Sequence, residues 1–324
     1  MLNKPRILVA SPASSASNNG NWQTAYRWSQ FLRARYHVEI TRKWDSASPP
    51  SDALIALHAR RSADSIEAYA ATGRPIVLVL TGTDLYRDIR HDEAARRSLR
   101  LAHDLVLLQD AGMDELPEAL RGKASVIYQS APVLTPQQAE DVVFEVLMVG
   151  HLRAEKDPLT FMRAAMQASA PGLRFVQIGG VLDDSLGREA ETTAARCGHY
   201  RWLGAMAHDA TRALLQQGRL LVVPSVMEGG ANVIVEAVTA GVPVLASDIP
   251  GNRGMLGAGY AGYFPVGDAA ALARMVEQAA TRPGFEQLLR DQCAARMPLF
   301  APEREKAAVL RLMDNALSQH RTKP

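Results

Sequence analysis

Short runs of aliphatic residues recur along the chain, each followed by polar turn residues or by a stretch with helical spacing. Arg6–Ala10, Tyr36–Ile40, Ala53–Leu57, Ile76–Leu80, Asp104–Leu108 and Ser125–Tyr128 read as strands. Helical stretches are predicted at Trp22–Arg35, Ser65–Thr72, Glu93–Ala102 and Ala111–Leu120, with a Ser/Asn/Gly loop over Ser11–Asn21. Unbroken Val/Ile/Leu runs separated by helices predict a parallel sheet buried on both faces. Trp22 and Trp28 stand at helical spacing, which points to core packing. Ala131–Asp141, with Pro132 and Pro136, is the expected linker. The alternation then restarts at Val142–Val149 and continues through Arg174–Ile178, Tyr200–Leu203, Leu220–Val223 and Pro243–Ala246. Asp157-Pro158 is set to open a helix, Asp as N-cap and Pro at the first helical position. The expected fold class is α/β, two doubly wound Rossmann-like domains over residues 1–135 and 142–324 that face across a cleft. The second domain is expected to carry the C-terminal helices. Chemistry in such a pair belongs on the loops at the carboxyl ends of the strands.

Composition narrows the classes. Of 324 residues, 47% are hydrophobic and 22% charged, the balance of a soluble globular protein. The net charge is only +2, with about +3 in residues 1–135 and −1 in the remainder, short of the basic excess of a general nucleic-acid binder. The aliphatic runs are too short to span a bilayer, and no strongly basic amphipathic helix offers a membrane surface contact. Met1–Ala10 lacks the pattern of an export signal. Cys197 and Cys293, the two cysteines, exclude a disulfide framework and a cysteine-based zinc site, so a cytoplasmic location is expected.

The densest chemistry lies in LLVVPSVMEGGANVIVEAVTAGVPVLASDIPGN, which begins at Leu220. A buried strand ends at Pro224-Ser225, a loop carries Glu228, Gly229 and Gly230, and a helix starts near Asn232. Gly241 and Pro243 end that helix and lead into the next strand. Two glycines let backbone approach a ligand, and a helix N-terminus presents free N–H groups to an anion. Glu228 and Glu236 flank that anion site, and carboxylates suit neutral diol hydroxyls. Amides for phosphates with carboxylates for hydroxyls describe a nucleotide-sugar, the alternative being a capped helix with two solvated glutamates. Lys156 is a fixed cation that would stabilise a departing diphosphate more than the ground state. Its alternative is a surface lysine beside an N-cap. The chain has no D-x-D to hold a divalent metal, so no metal and no separate cofactor are expected.

These residues resemble the E-x7-E mark of the retaining GT-B glycosyltransferases, here Glu228 to Glu236. GHLRAEKDP (Gly150–Pro158) and RWLG (Arg201–Gly204) extend the likeness through the second half. The resemblance implies a metal-independent hexosyltransferase that takes a UDP-sugar as substrate. By position it implies that Glu236 holds the ribose, Glu228 the sugar hydroxyls and Lys156 the diphosphate. Ser225, Gly229, Gly230, Ala231, Asn232 and Val233 would line the donor, the last two through backbone amides. Where the family has an arginine after the glycine this chain has His151, with Arg153 two residues on; either Arg153 supplies the missing cation or Lys156 holds the phosphate alone.

The first half is expected to hold the acceptor. SNNGNW (Ser17–Trp22) offers Gly20 and Asn21 toward donor phosphates, or is an ordinary turn before a helix. His58, Arg60 and Arg61 precede Ser62, a predicted N-cap, and such a cluster suits a small anion, the alternative being two solvated arginines and a packed histidine. Thr83 and Asp84 are candidates to hold a sugar hydroxyl, to orient a cation or to cap the next turn. Over its whole length the chain resembles a narrower group, the selenosugar synthases of selenoneine biosynthesis, through SNNGNWQTA, LHARRS, LTGTDLYRDI and GHLRAEKDP. That resemblance implies transfer from UDP-N-acetylglucosamine or UDP-glucose to selenophosphate. A hydroxyl acceptor is the rival within the fold, and a UDP-sugar 2-epimerase is a more distant one. A dinucleotide oxidoreductase is disfavoured, since no G-x-G-x-x-G follows either first strand.

Overall fold

A computed structural model describes residues 4–14, 19–135 and 143–321. The chain divides into two compact units, Met1–Gln129 with Pro302–Pro324, and Ser130–Ala301. Of the expected linker, residues 136–141 lie outside the described residues, as do Ser17, Asn18 and Val142.

The first unit is a six-stranded sheet, β1 (Arg6–Ala10), β2 (His37–Thr41), β3 (Ala53–Leu57), β4 (Ile76–Leu80), β5 (Asp104–Leu107) and β6 (Ala124–Val126). All pairs are parallel, in the order β2-β1-β3-β4-β5-β6. Alternate strand residues feed two cores. Ile7, Val9, Ile55, Leu57, Val77 and Val79 pack with Trp28 and Leu32 on one face. Leu8, Leu54, Leu78, Leu80 and Leu105 pack with Ile66, Tyr69 and Leu99 on the other. Burying each such aliphatic side chain stabilises the fold by about 1.5–3 kcal/mol, and runs buried on both faces explain why the strands were readable. The predicted helix over Ala111–Leu120 is instead a 3-10 turn, Asp110–Glu115, and a single α-turn, Glu118–Arg121. Pro117 interrupts the stretch, and the Gln109 side chain takes the Gly112 amide at 3.1 Å.

The Pro302–Arg321 helix departs from the expected division, because it belongs to the first unit. Val309, Met313 and Ala316 fall on one helical stripe and are buried with Ile7, Trp28 and Leu32. Polar contacts fix its register. Buried Glu305 accepts from Arg27 Nε at 2.7 Å and from Trp28 Nε1 at 2.8 Å, and Asp314 accepts from the Tyr36 hydroxyl and Arg35.

The second unit holds β7 (Phe144–Val149), β8 (Leu173–Ile178), β9 (Tyr200–Trp202), β10 (Leu220–Val223), β11 (Val244–Ser247) and β12 (Tyr263–Phe264), again all parallel. Their order is β12-β11-β10-β7-β8-β9. The direction of winding reverses between β7 and β10 here, and between β1 and β3 in the first unit. In open α/β sheets a ligand crevice opens at such a reversal, outside the carboxyl ends of the strands.

Candidate functional site

At the reversal of the second unit two strand-end loops meet. After β7 the chain passes Gly150 and His151, and a 3-10 turn at Ala154–Lys156 folds it back. The stem of Lys156 lies over Gly150, its Cγ and Cδ 3.4 Å from where a Cβ would stand. Asp157, at φ +44°, reverses the chain and caps the Pro158–Gln167 helix, accepting from the Thr160 amide at 3.3 Å and hydroxyl at 2.5 Å. Gly179 at the end of β8 comes so near that a Cβ there would sit 1.9 Å from the Gly150 carbonyl oxygen. The Val226 amide, after β10, donates to the Glu155 carbonyl at 3.0 Å and ties the two loops together.

That tie brings the two candidate catalytic side chains into contact. Lys156 Nζ donates to Glu228 Oε1 at 2.5 Å, and the Ser225 hydroxyl donates to the same oxygen at 2.6 Å. Glu228 is 8% exposed, and among the described residues its second oxygen has no partner. Ser225 was expected to touch the donor; it is buried, and its hydroxyl is spent on orienting Glu228. A lysine and a carboxylate held this way are stable as a pair and costly to separate without a replacement.

The amide cradle follows. Buried Gly229 and half-buried Gly230 lead to Ala231 and the Asn232–Thr239 helix. Ala231 is its N-cap and no side chain caps it, whereas aspartates cap the Pro158–Gln167, Asp184–Arg196 and Ala269–Thr281 helices. Intrahelical bonding begins with the Ile234 amide on Ala231, so the Asn232 and Val233 amides are open to an anion. Glu236 lies a turn further on, its Oε1 2.8 Å from His208 Nε2. The His151 ring accepts the Gly180 amide on Nδ1 at 3.1 Å, which fixes it against β8. Arg153 is half-buried at the start of the 3-10 turn and makes no ion pair among the described residues.

At the reversal of the first unit stand the loops after β1 and β3. Asn19 caps the Gly20–Leu32 helix, accepting from the Asn21 amide at 3.1 Å and the Trp22 amide at 3.2 Å, with Gly20 exposed at its first position. His58 sits at φ +74° and is buried. Its Nδ1 accepts the Arg61 amide at 3.3 Å, so the ring proton is on Nε2, which donates to Thr83 Oγ1 at 2.9 Å. Burial pushes the imidazole below its ordinary value, against the pull of the Asp84 and Asp88 carboxylates. The expected cluster of three cations is thus reduced. His58 is neutral, Arg60 pairs with Asp92 at 2.9 Å, and Arg61 is exposed without an ion pair among the described residues. Asp84 holds backbone amides. It is fully buried and accepts the Ala59, Thr81 and Gly82 amides, each at 2.9 Å, fastening the loop after β3 to the loop after β4. Ser62 likewise does not cap its helix, because its hydroxyl donates to the Leu57 carbonyl at 2.6 Å.

Four residues beyond the sequence candidates border the site. Gly251 abuts the Glu228 loop so closely that a Cβ would stand 2.0 Å from the Glu228 carbonyl oxygen. Ser247 donates to the Ser225 carbonyl, and Asn252 Nδ2 holds Ser247 at 2.9 Å. His208 opens the helix that faces Glu236. The IPGN tail of the motif was the available signal for Gly251 and Asn252; His208 had none.

Comparison with known proteins agrees with this geometry. Residues 136–296 match the family model of glycosyl transferases group 1. A glycosyltransferase 1 domain-containing protein 1 of Xenopus tropicalis is 26% identical over 276 residues, 74% of this chain and 78% of that protein. A 2-deoxystreptamine N-acetyl-D-glucosaminyltransferase of Streptomyces fradiae is 30% identical over 138 residues, 41% of this chain and 33% of that one. The crystal structure of Anabaena HepE in complex with UDP and glucose superposes with a TM-score of 0.76, at 17% identity, over 97% of this chain and 100% of that one. The fold is GT-B, and the matches support the glycosyltransferase group 1 family.

Proposed function

We propose that this chain is a retaining glycosyltransferase that moves a sugar from UDP-N-acetylglucosamine or UDP-glucose to a small anionic acceptor, selenophosphate foremost. The observation that carries the reading is the contact of Lys156 with Glu228 beside an uncapped helix N-terminus. The amides of Asn232 and Val233 receive the diphosphate, and Glu236 accepts from the ribose. Glu228 accepts from the sugar hydroxyls through its open oxygen. As the anomeric carbon–oxygen bond breaks, its electron pair passes to the diphosphate, and Lys156, with Arg153 in the same turn, meets the charge that develops. The acceptor's selenium supplies the pair for the new bond. The reading is metal-independent, since cations and amides meet the leaving charge. The UDP-bound relative and the N-acetylglucosaminyltransferase relative support the donor classes. Free, buried Cys197 and Cys293 support a cytoplasmic setting, and no described helix is long and apolar enough to cross a membrane.

One observation favours the rival hydroxyl acceptor. Neutral His58 and paired Arg60 leave Arg61 as the unshared cation at the β3 end. Mass spectrometry of products from each UDP-sugar mixed with selenophosphate or with sugar alcohols separates the two. A selenosugar from selenophosphate supports the proposal, and transfer to hydroxyls alone overturns the anionic acceptor. Arg60→Ala with Arg61→Ala is expected to raise the acceptor KM while sparing donor binding.

A further inference from the structure

His208, the partner of Glu236, has no role assigned so far. His208 is the first residue of the His208–Gln217 helix, and Glu236 lies on the neighbouring Asn232–Thr239 helix. Nε2 of the histidine lies 2.8 Å from Oε1 of the glutamate, whose side chain is 13% exposed. The competing carboxylate, Asp209, is 3.6 Å from Nδ1 and fully open to water, where its pull is screened. Donation to Glu236 holds His208 above its ordinary value, against burial and the repulsion of Arg212 one turn along. Glu236 is therefore immobilised through one oxygen, and among the described residues its other oxygen has no partner.

We infer that His208 is a positioning residue for nucleotide recognition: it locks the Glu236 carboxylate so that the second oxygen is presented to a ribose hydroxyl. The inference rests on the reading of Glu236 as the ribose ligand. A carboxylate on three rotatable bonds samples many directions, and each frozen rotamer removes ordering that the ligand would otherwise have to impose. The chemistry of the arrangement is that of a histidine–carboxylate couple turned outward. The imidazole never touches the nucleotide, and its whole effect passes through Glu236.

Calorimetry with UDP and with 2′,3′-dideoxyuridine diphosphate tests this on the full chain. The unaltered protein is expected to prefer UDP by tenfold or more, about the size of one charge-assisted hydrogen bond. His208→Ala is expected to weaken UDP about tenfold, leave the dideoxy analogue unchanged and so erase the preference. His208→Gln, which keeps a donor of similar reach, is expected to restore most of it. No preference in the unaltered protein overturns the ribose role of Glu236 itself. A preference that survives in His208→Ala, an equal loss for both nucleotides, or tighter UDP binding overturns the role of His208 alone. His208 is partly exposed at a helix start, and His208→Ser, whose side chain is too short to reach Glu236, is read for the same loss of preference if the alanine variant is unstable.

Discussion

Lys156 Nζ and Glu228 Oε1 stand 2.5 Å apart, although 72 residues separate them in sequence. Each fixes the other before any ligand arrives. The lysine is held by its own stem over Gly150, and the glutamate by Ser225 and by the backbone against Gly251. On the proposed reading a donor diphosphate entering this crevice meets a cation already in place, so little reorganisation accompanies the charge that develops on leaving.

Lys156→Ala is expected to lower kcat by about 10²–10³, or roughly 2.7–4 kcal/mol, while UDP affinity changes only a few-fold. Steady-state kinetics beside calorimetry check this. Turnover kept within a few-fold would move the role to Arg153.

On the proposed reading the two glutamates divide the donor between them. Glu236→Ala is expected to weaken UDP, the product without sugar. Glu228→Ala leaves UDP nearly unaffected and impairs use of the intact UDP-sugar. Equal losses of UDP affinity in both variants would overturn this division.

Gly251→Ala tests the backbone support of the site. The added methyl falls 2.0 Å from the Glu228 carbonyl oxygen, so the Ser225–Gly230 loop has to shift. A displacement near 1 Å is expected to cost about 10²-fold in kcat/KM. The stability loss of such overpacking is about 1–3 kcal/mol, readable by urea denaturation. A variant with native kinetics would show that the loop tolerates movement.

Glu305→Leu removes a buried carboxylate that receives Arg27 and Trp28. Stranding the guanidinium is expected to cost about 3–5 kcal/mol. Adding Arg27→Met should recover part of the loss, because an apolar pair leaves no buried charge. Urea midpoints of the three proteins measure it, and additive losses would argue against the coupling.

The strands were legible because their signal is local. Ala53–Leu57 and Ile76–Leu80 are pure aliphatic runs, buried throughout, and the structure reproduces their limits. β12 is two residues long, too short for periodicity to register. The Glu228–Glu236 segment was readable since strand, glycine loop and helix follow one another in sequence. What sits beside it was not. Ser225 reads equally as ligand or support until its hydroxyl is seen on Glu228, and Asp84 until its carboxylate is seen on three amides. Arg27 and Glu305 are 278 residues apart, and no spacing rule connects them.

The placement of Pro302–Arg321 on the first unit has a consequence for biosynthesis. Residues up to Gln129 emerge from the ribosome first, yet the apolar surface around Trp28 and Leu32 stays uncovered until Val309, Met313 and Ala316 have been made. The later-made unit, Ser130–Ala301, is contiguous and has every strand it needs before that point. Completion therefore runs against the order of translation, and the half translated first must wait, with an open hydrophobic face that a chaperone can recognise, for the half translated second.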